Sequence, residues 1–111
     1  MDVRAWNDLE ELLARLVLEE AFELEDALVR IAALHPDENA EVLLLAGITV
    51  QSDLLLILGI EDQAALVRSH RRYQVLACLA ADVALLPAHD RTCRALCRFW
   101  KSSGSPVFRV S

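Results

Sequence analysis

The stretch EVLLLAGITVQSDLLLILGI, residues 41–60, decides how the rest of the chain is read. It is long and apolar enough to raise a membrane span as the first possibility. Gln51, Ser52 and Asp53 stand in its middle, however, and an ionised carboxylate at the centre of a bilayer is costly. The stretch therefore reads as a pair of buried helices in a soluble fold, with no membrane contact. The first of the pair begins near Asp37 and is apolar on nearly every side except at Glu41, as a central packed helix is. Ser52 or Asp53 caps a short second helix over LLLIL, and Gly59 stops it. The β-branched run Ile48, Thr49, Val50 leaves a strand as the alternative at that point.

N-terminal to this stretch, no Gly or Pro interrupts the first 35 residues, which predicts one long helix or two nearly continuous ones. Asn7 followed by Glu10 has capping-box spacing. Trp6, Leu9, Leu12, Leu13, Leu16 and Val17 form an apolar stripe at helical spacing. Glu19, Glu20 and Glu23 interrupt the stripe, which resumes displaced at Leu24, Ala27, Leu28 and Ile31, so the face rotates or the helix bends near Glu20. Pro36 ends the element by biasing His35 away from helical geometry.

C-terminal to the stretch, a helix is expected over residues 62–86, with Leu66, Tyr73, Leu76, Ala77, Ala80, Val83 and Ala84 as its core face. Pro87 stops it or opens the next, which carries RTCRALCRFWK. The last ten residues, SSGSPVFRVS, read as a loop and a short extended tail. The chain is then one helical domain over residues 1–101 with a C-terminal tail over 102–111. Composition agrees: 111 residues, 55% of them hydrophobic and only three Gly and three Pro, suit a single domain of about five helices. The fold class is all-α, an orthogonal bundle or a set of helical hairpins.

Charge is divided along the chain. Residues 1–62 hold fifteen carboxylates against Arg4, Arg15 and Arg30, whereas residues 63–111 hold eight cations against Asp82 and Asp90. Such a split is satisfied internally, or it leaves two outward surfaces of opposite sign suited to a charged partner. The acidic N-terminus lacks the positive region of a signal peptide. Three cysteines, an odd number, suit reduced thiols in a cytoplasm better than a disulfide framework.

The most chemically suggestive spacing is AHDRTCRALCRFW, residues 88–100. On a helix, His89, Cys93, Leu96, Cys97 and Trp100 fall within an arc of roughly 100°. Arg91, Arg94, Arg98 and Lys101 occupy about 80° of the opposite side. His89 and Cys97 would lie about 12 Å apart along the axis, too far to share one ion. Further soft ligands would have to come from Cys78, His70 or His35. Cysteines on an apolar face are more often small buried hydrophobes, and no metal or cofactor is expected. The basic face is either solvated, paired with the chain's own acids, or open to an acidic protein. With no aromatic interleaving and an acidic first half, direct nucleic-acid binding is disfavoured. Glu19, Glu23 and Asp26 share one side at helical spacing, but no Glu-x-x-His partner turns them into a di-metal site. No phosphate loop or nucleophile–base–acid set stands out, so the chain is not expected to be an enzyme.

The segment LEDALVRIAALHPDENAEVLLLAG resembles the junction of two tetratricopeptide units, and RALCRFWKSSGSP resembles the first helix of another. Small tetratricopeptide-like chaperones and accessory proteins of bacterial type III secretion share this size and texture. That resemblance implies the cradling of a helical segment of a partner on an apolar face. LLLAGITVQ, LGIEDQ and LCRF also resemble the flagellar regulator FlhD, which implies a transcriptional regulator using the basic face. The expectation is a cytoplasmic, non-enzymatic protein-binding regulator or chaperone, a homodimer or part of an obligate heterocomplex. The excess of leucine places its partner-binding surface at Leu9, Leu13, Leu16, Leu43, Leu44 and Leu45. A FlhD-like regulator is the alternative, and a thiol or zinc sensor a lesser one.

Overall fold

The structure, a computed structural model, describes residues 2–110. It is all-helical: α1 (Val3–Leu18), α2 (Leu24–Leu34), α3 (Ala40–Leu58), α4 (Gln63–Leu85) and α5 (Cys93–Ser103). The only β pairing among the described residues is an isolated bridge between Asn39 and Thr92.

Helix α1 starts a turn earlier than the Asn7–Glu10 spacing suggests, because Asp2 is the cap. Its carboxylate accepts from the backbone N–H of Arg4 at 3.0 Å and of Ala5 at 3.4 Å. The expected bend near Glu20 is a full break. Leu18 ends the helix, and Ala21 takes a left-handed backbone conformation, φ 56°, that a residue with a Cβ rarely adopts. Glu19 caps α1 at its C-terminus and Glu23 stands before α2, so the acidic cluster is split by a turn.

The pair of helices expected over residues 41–60 is one helix. α3 runs unbroken through Gln51, Ser52 and Asp53, and the β-branched run is helical as well. Ser52 and Asp53 are exposed on its solvent side, where a polar side chain is compatible with a continuous helix. Gly59, at φ 69°, does end the helix. As expected of a central helix, α3 touches all four others, with α1 its most extensive partner and α4 the next. Gly47 is the point of closest approach to α4, since a Cβ there would stand 2.7 Å from a Leu76 methyl.

α4 is turned about its axis from the expected face. Leu76 and Val83 are buried with Val75, Leu79 and Ser69, whereas Leu66, Tyr73, Ala77, Ala80 and Ala84 face solvent. The helix has two apolar arcs, and the one with the bulky aliphatics is inside because burial stabilises in proportion to apolar area. Leu86 caps α4, and Pro87 lies in the loop that follows.

That loop delivers the start of α5 to the start of α3. The N–H of Ala40 donates to the carbonyl of Arg91, and that of Cys93 to the carbonyl of Glu38, each at 2.8 Å. Two helix N-termini, capped by Asn39 and Thr92, thus satisfy part of each other's open first turn. The last residues are not a loose tail. Ser105 Oγ accepts from the N–H groups of Val107 and Phe108 at 3.2 and 3.0 Å, and the chain folds back. Phe108 is 1% exposed and stacks on Trp100 at 4.5 Å between ring centroids. The indole N–H of Trp100 donates to Asp82 at 2.9 Å, tying α5 to α4.

Candidate protein-binding surfaces

The leucines expected to meet a partner are mostly structural. Leu9, Leu13, Leu16 and Leu43 are buried at 5% exposure or less, which corrects their assignment to a surface. Leu44 and Leu45 are half-buried, and Leu44 packs against the core. The stripe on α1 is apolar because α3 covers it.

The basic residues do not form one helical stripe. Arg91 precedes α5, and its guanidinium lies 3.2 Å from Glu41 while its Nε donates to the carbonyl of Leu86 at 3.3 Å. Arg94 pairs with Asp37 at 2.8 Å and Arg98 with Asp90 at 2.9 Å. Lys101 has no ion pair among the described residues. Three of the four cations thus meet the chain's own acids, although these are exposed pairs of small net stability.

His89 lies in the exposed loop before α5, away from the helical arc it shares with Cys93 and Cys97 on paper. Cys93 is fully buried, and burial, then Cys97 and Glu38 nearby, pushes its thiol up to about 12. Burial also raises the half-buried Cys97 thiol, against a smaller opposing pull from Lys101. Both are protonated near neutral pH and are weak nucleophiles. Cys78 is exposed on α4. Among the described residues no three His, Cys, Asp or Glu side chains are gathered to hold a metal ion.

Two features went unread in the sequence. The first is the α3–α4 end of the molecule. Leu56, Ile57, Leu58, Ile60, Leu66 and Val67 are 46–84% exposed, a concentration of aliphatic surface in one hairpin. It arises from unequal lengths: α3 has 19 residues and α4 has 23, against 11 each for α2 and α5. At about 1.5 Å per residue the long pair outruns the short helices and has nothing to pack on at its end. A polar clasp marks its base. Gln51, fully buried, donates to Ser69 Oγ at 3.1 Å, and its carbonyl accepts from the Arg72 guanidinium. Burial, then Arg68, pulls the Arg72 pKa down. The signal was in LLLILGIEDQAALV, where aliphatics surround a turn, but no spacing rule separates an exposed apolar turn from a buried one.

The second feature is a furrow along α2. Phe22, Val29, Ala33 and Val110 line one lobe of about 290 Å³; Ala33 and Val110 recur in a second of about 300 Å³ with Ala32, Pro36 and Cys97. Arg30 and Arg109 stand over the first lobe, and Arg94, Arg98 and Lys101 over the second. Residues from α2, α5 and the C-terminal segment meet here, and only the fold brings them together.

By length and composition α3 is also apolar enough to cross a membrane, at mean hydropathy 1.9. One face of it is packed in the core as far as Leu54, with Val42, Leu43, Ala46, Val50 and Leu54 buried. Compared with protein-family models, with curated proteins and with solved structures, the chain finds no match.

Proposed function

We propose that the protein is a non-enzymatic protein-binding module, a regulator or chaperone of a bacterial cytoplasm, that works as a homodimer joined through the α3–α4 end. The observation that carries this reading is the exposed group Leu56, Ile57, Leu58, Ile60, Leu66 and Val67. A soluble chain rarely leaves six large aliphatic side chains open in one hairpin unless something covers them. A second copy suits the charges beside the patch. Glu61 and Asp62 precede Leu66 and Val67 on the chain, and Arg68 and Arg71 follow them, with all four charged side chains exposed. These charges put both signs on the rim of the patch, so a second copy related by a twofold axis can bring its acids near the cations of the first without like-charge conflict. Arg71 is free to take part, since its own contact with Glu25 is loose at 3.6 Å. Three unpaired cysteines suit a reducing compartment. The resemblance to tetratricopeptide-like accessory proteins of type III secretion supports the same class of function.

Sedimentation velocity across a range of concentrations tests the reading. The wild type is expected to run as a dimer, and Ile57→Gln with Leu66→Glu as a folded monomer of unchanged helix content by circular dichroism. A wild type that remains monomeric overturns the homodimer. Co-purification of a different protein whose binding is lost in the same variant would replace it with a heterocomplex at the same surface. The FlhD-like alternative needs its cations free for DNA, and the pairing of Arg91, Arg94 and Arg98 with Glu41, Asp37 and Asp90 favours it less.

A further inference from the structure

The furrow along α2 has a different character from the α3–α4 end, and its charge is at odds with the chain. The whole sequence carries seventeen acids against eleven Lys and Arg, yet the two lobes are lined by five cations and by Asp26 as their one acid. Arg30, Lys101 and Arg109 have no ion pair among the described residues. Arg94 and Arg98 hold theirs on the solvent side, with the arginine side chains 54% and 65% exposed. Such pairs exchange readily for a better-placed carboxylate.

Between the cations the floor is apolar: Phe22, Val29, Ala32, Ala33, Pro36 and Val110. The small exposed side chain of Ala33, shared by both lobes, leaves room for another backbone to approach closely. The furrow follows the length of α2, whose 11 residues span about 16 Å, or three turns of a helix laid alongside. An apolar floor between cationic walls is complementary to a helix with one apolar face and carboxylates along its edges. Nucleic acid suits it less, because Phe22 is the one aromatic on its lining and the phosphates would sit over an apolar floor.

We infer that the furrow between α2, α5 and the C-terminal segment is a docking site for an acidic amphipathic helix of a partner protein. Apolar side chains of that helix lie on Val29, Ala33 and Val110, and its carboxylates reach Arg30, Arg98, Lys101 and Arg109. This inference shares with the reading above the premise that the chain binds protein. It uses none of the residues of the α3–α4 end, so the two fail separately.

The test is a fluorescence-anisotropy titration of the full chain with a fluorescein-labelled peptide of about four helical turns, leucines on one face and glutamates along its edges. Binding is expected at low salt and is expected to weaken as salt rises. Arg98→Glu with Lys101→Glu, both exposed positions, is expected to weaken it by about tenfold or more while circular dichroism and melting stay unchanged. Arg30→Glu, on the other lobe, is the second variant. The inference is overturned if the peptide does not bind. It is equally overturned if a lysine-edged peptide of the same pattern binds as well, if neither variant weakens binding, or if a single-stranded oligonucleotide is held more tightly. Dimer-breaking changes at Ile57 and Leu66 are expected to leave this titration unaltered.

Discussion

The two ends of α3 have nearly the same composition and opposite fates. In its first part Val42, Leu43, Ala46 and Val50 are at most 4% exposed, while near its C-terminus Leu56, Ile57 and Leu58 are at least 55% exposed. Hydropathy does not separate them. The difference is what lies alongside: every other helix touches α3, yet its C-terminal turn and the facing start of α4 are left uncovered. Leu54 is the last buried aliphatic of the helix, one turn beyond the hydrogen-bonded clasp of Gln51 and Ser69. Apolar content therefore predicts that a segment seeks a partner, while the lengths of the neighbouring helices decide whether the partner is in the same chain.

The comparison breaks most visibly by truncating one leucine at each end. Leu43→Ala removes a fully buried side chain and leaves a cavity, at an expected cost of about 2–5 kcal/mol. For a domain whose total stability is about 5–15 kcal/mol, that lowers the melting temperature by roughly 10 °C or more. Leu56→Ala, at the other end, is expected to change monomer stability by less than about 0.5 kcal/mol. Urea melts of the two variants in a monomeric Leu66→Glu background give the answer. Comparable losses would mean that the exposed end is as much a part of the fold as the core.

The clasp comes next in size. Gln51→Ala removes the acceptor of Arg72 and the donor to Ser69, leaving polar groups in a partly dehydrated site, at an expected cost of about 1–3 kcal/mol. The informative control is Gln51→Ala with Arg72→Met. If the cost comes from stranding the guanidinium, the double variant is expected to recover a good part of it. A double variant no better than the single would instead assign the cost to the Ser69 contact and lost packing.

This division explains which parts of the molecule were legible in the sequence. The all-α class, the central place of α3, the stop at Gly59 and the inward Cys93 follow from periodicity and residue type. The count of five helices was reached by different divisions: the break at Ala21 replaces a bend, and α3 continues where a cap at Ser52 or Asp53 was expected. Alanine carries no mark for a left-handed turn, and a solvated Ser or Asp inside a helix looks the same in sequence as a capping one. The face of α4 was misread because Leu66, Tyr73 and three alanines form as regular a stripe as the buried one. Side-chain bulk, more than periodicity, decided between them. Phe108 and the furrow depend on contacts across the chain between α5, α2 and the last residues, which no local pattern encodes. Leu9, Leu13 and Leu16 do form the apolar stripe that their spacing predicts, but the core buries them and they are not a partner surface; the sequence does not say that α3 covers them.

The smallest effect lies where α1 runs beside α3, at the approach of two carboxylates, Glu10 on α1 and Asp53 on α3. Burial first, and the Asp53 charge second, raise the Glu10 pKa above its ordinary 4.5. A folded state that holds this proton more tightly than the unfolded chain gains from it fully below the unfolded value. That gain is lost as pH rises through the raised folded value. The contribution of this pair to stability therefore falls on going from about pH 4 to neutral, opposite in sign to that of carboxylates held in ion pairs. Asp53→Asn removes the charge and leaves the burial, so the variant is expected to gain slightly on the wild type as pH rises, with the two melting curves converging below about pH 4. Since Asp53 faces solvent, the gain is expected to be the smallest of these effects. A variant that loses ground to the wild type as pH rises would show that Asp53 is held by a cation instead, and that the contact between α1 and α3 at this point is attractive.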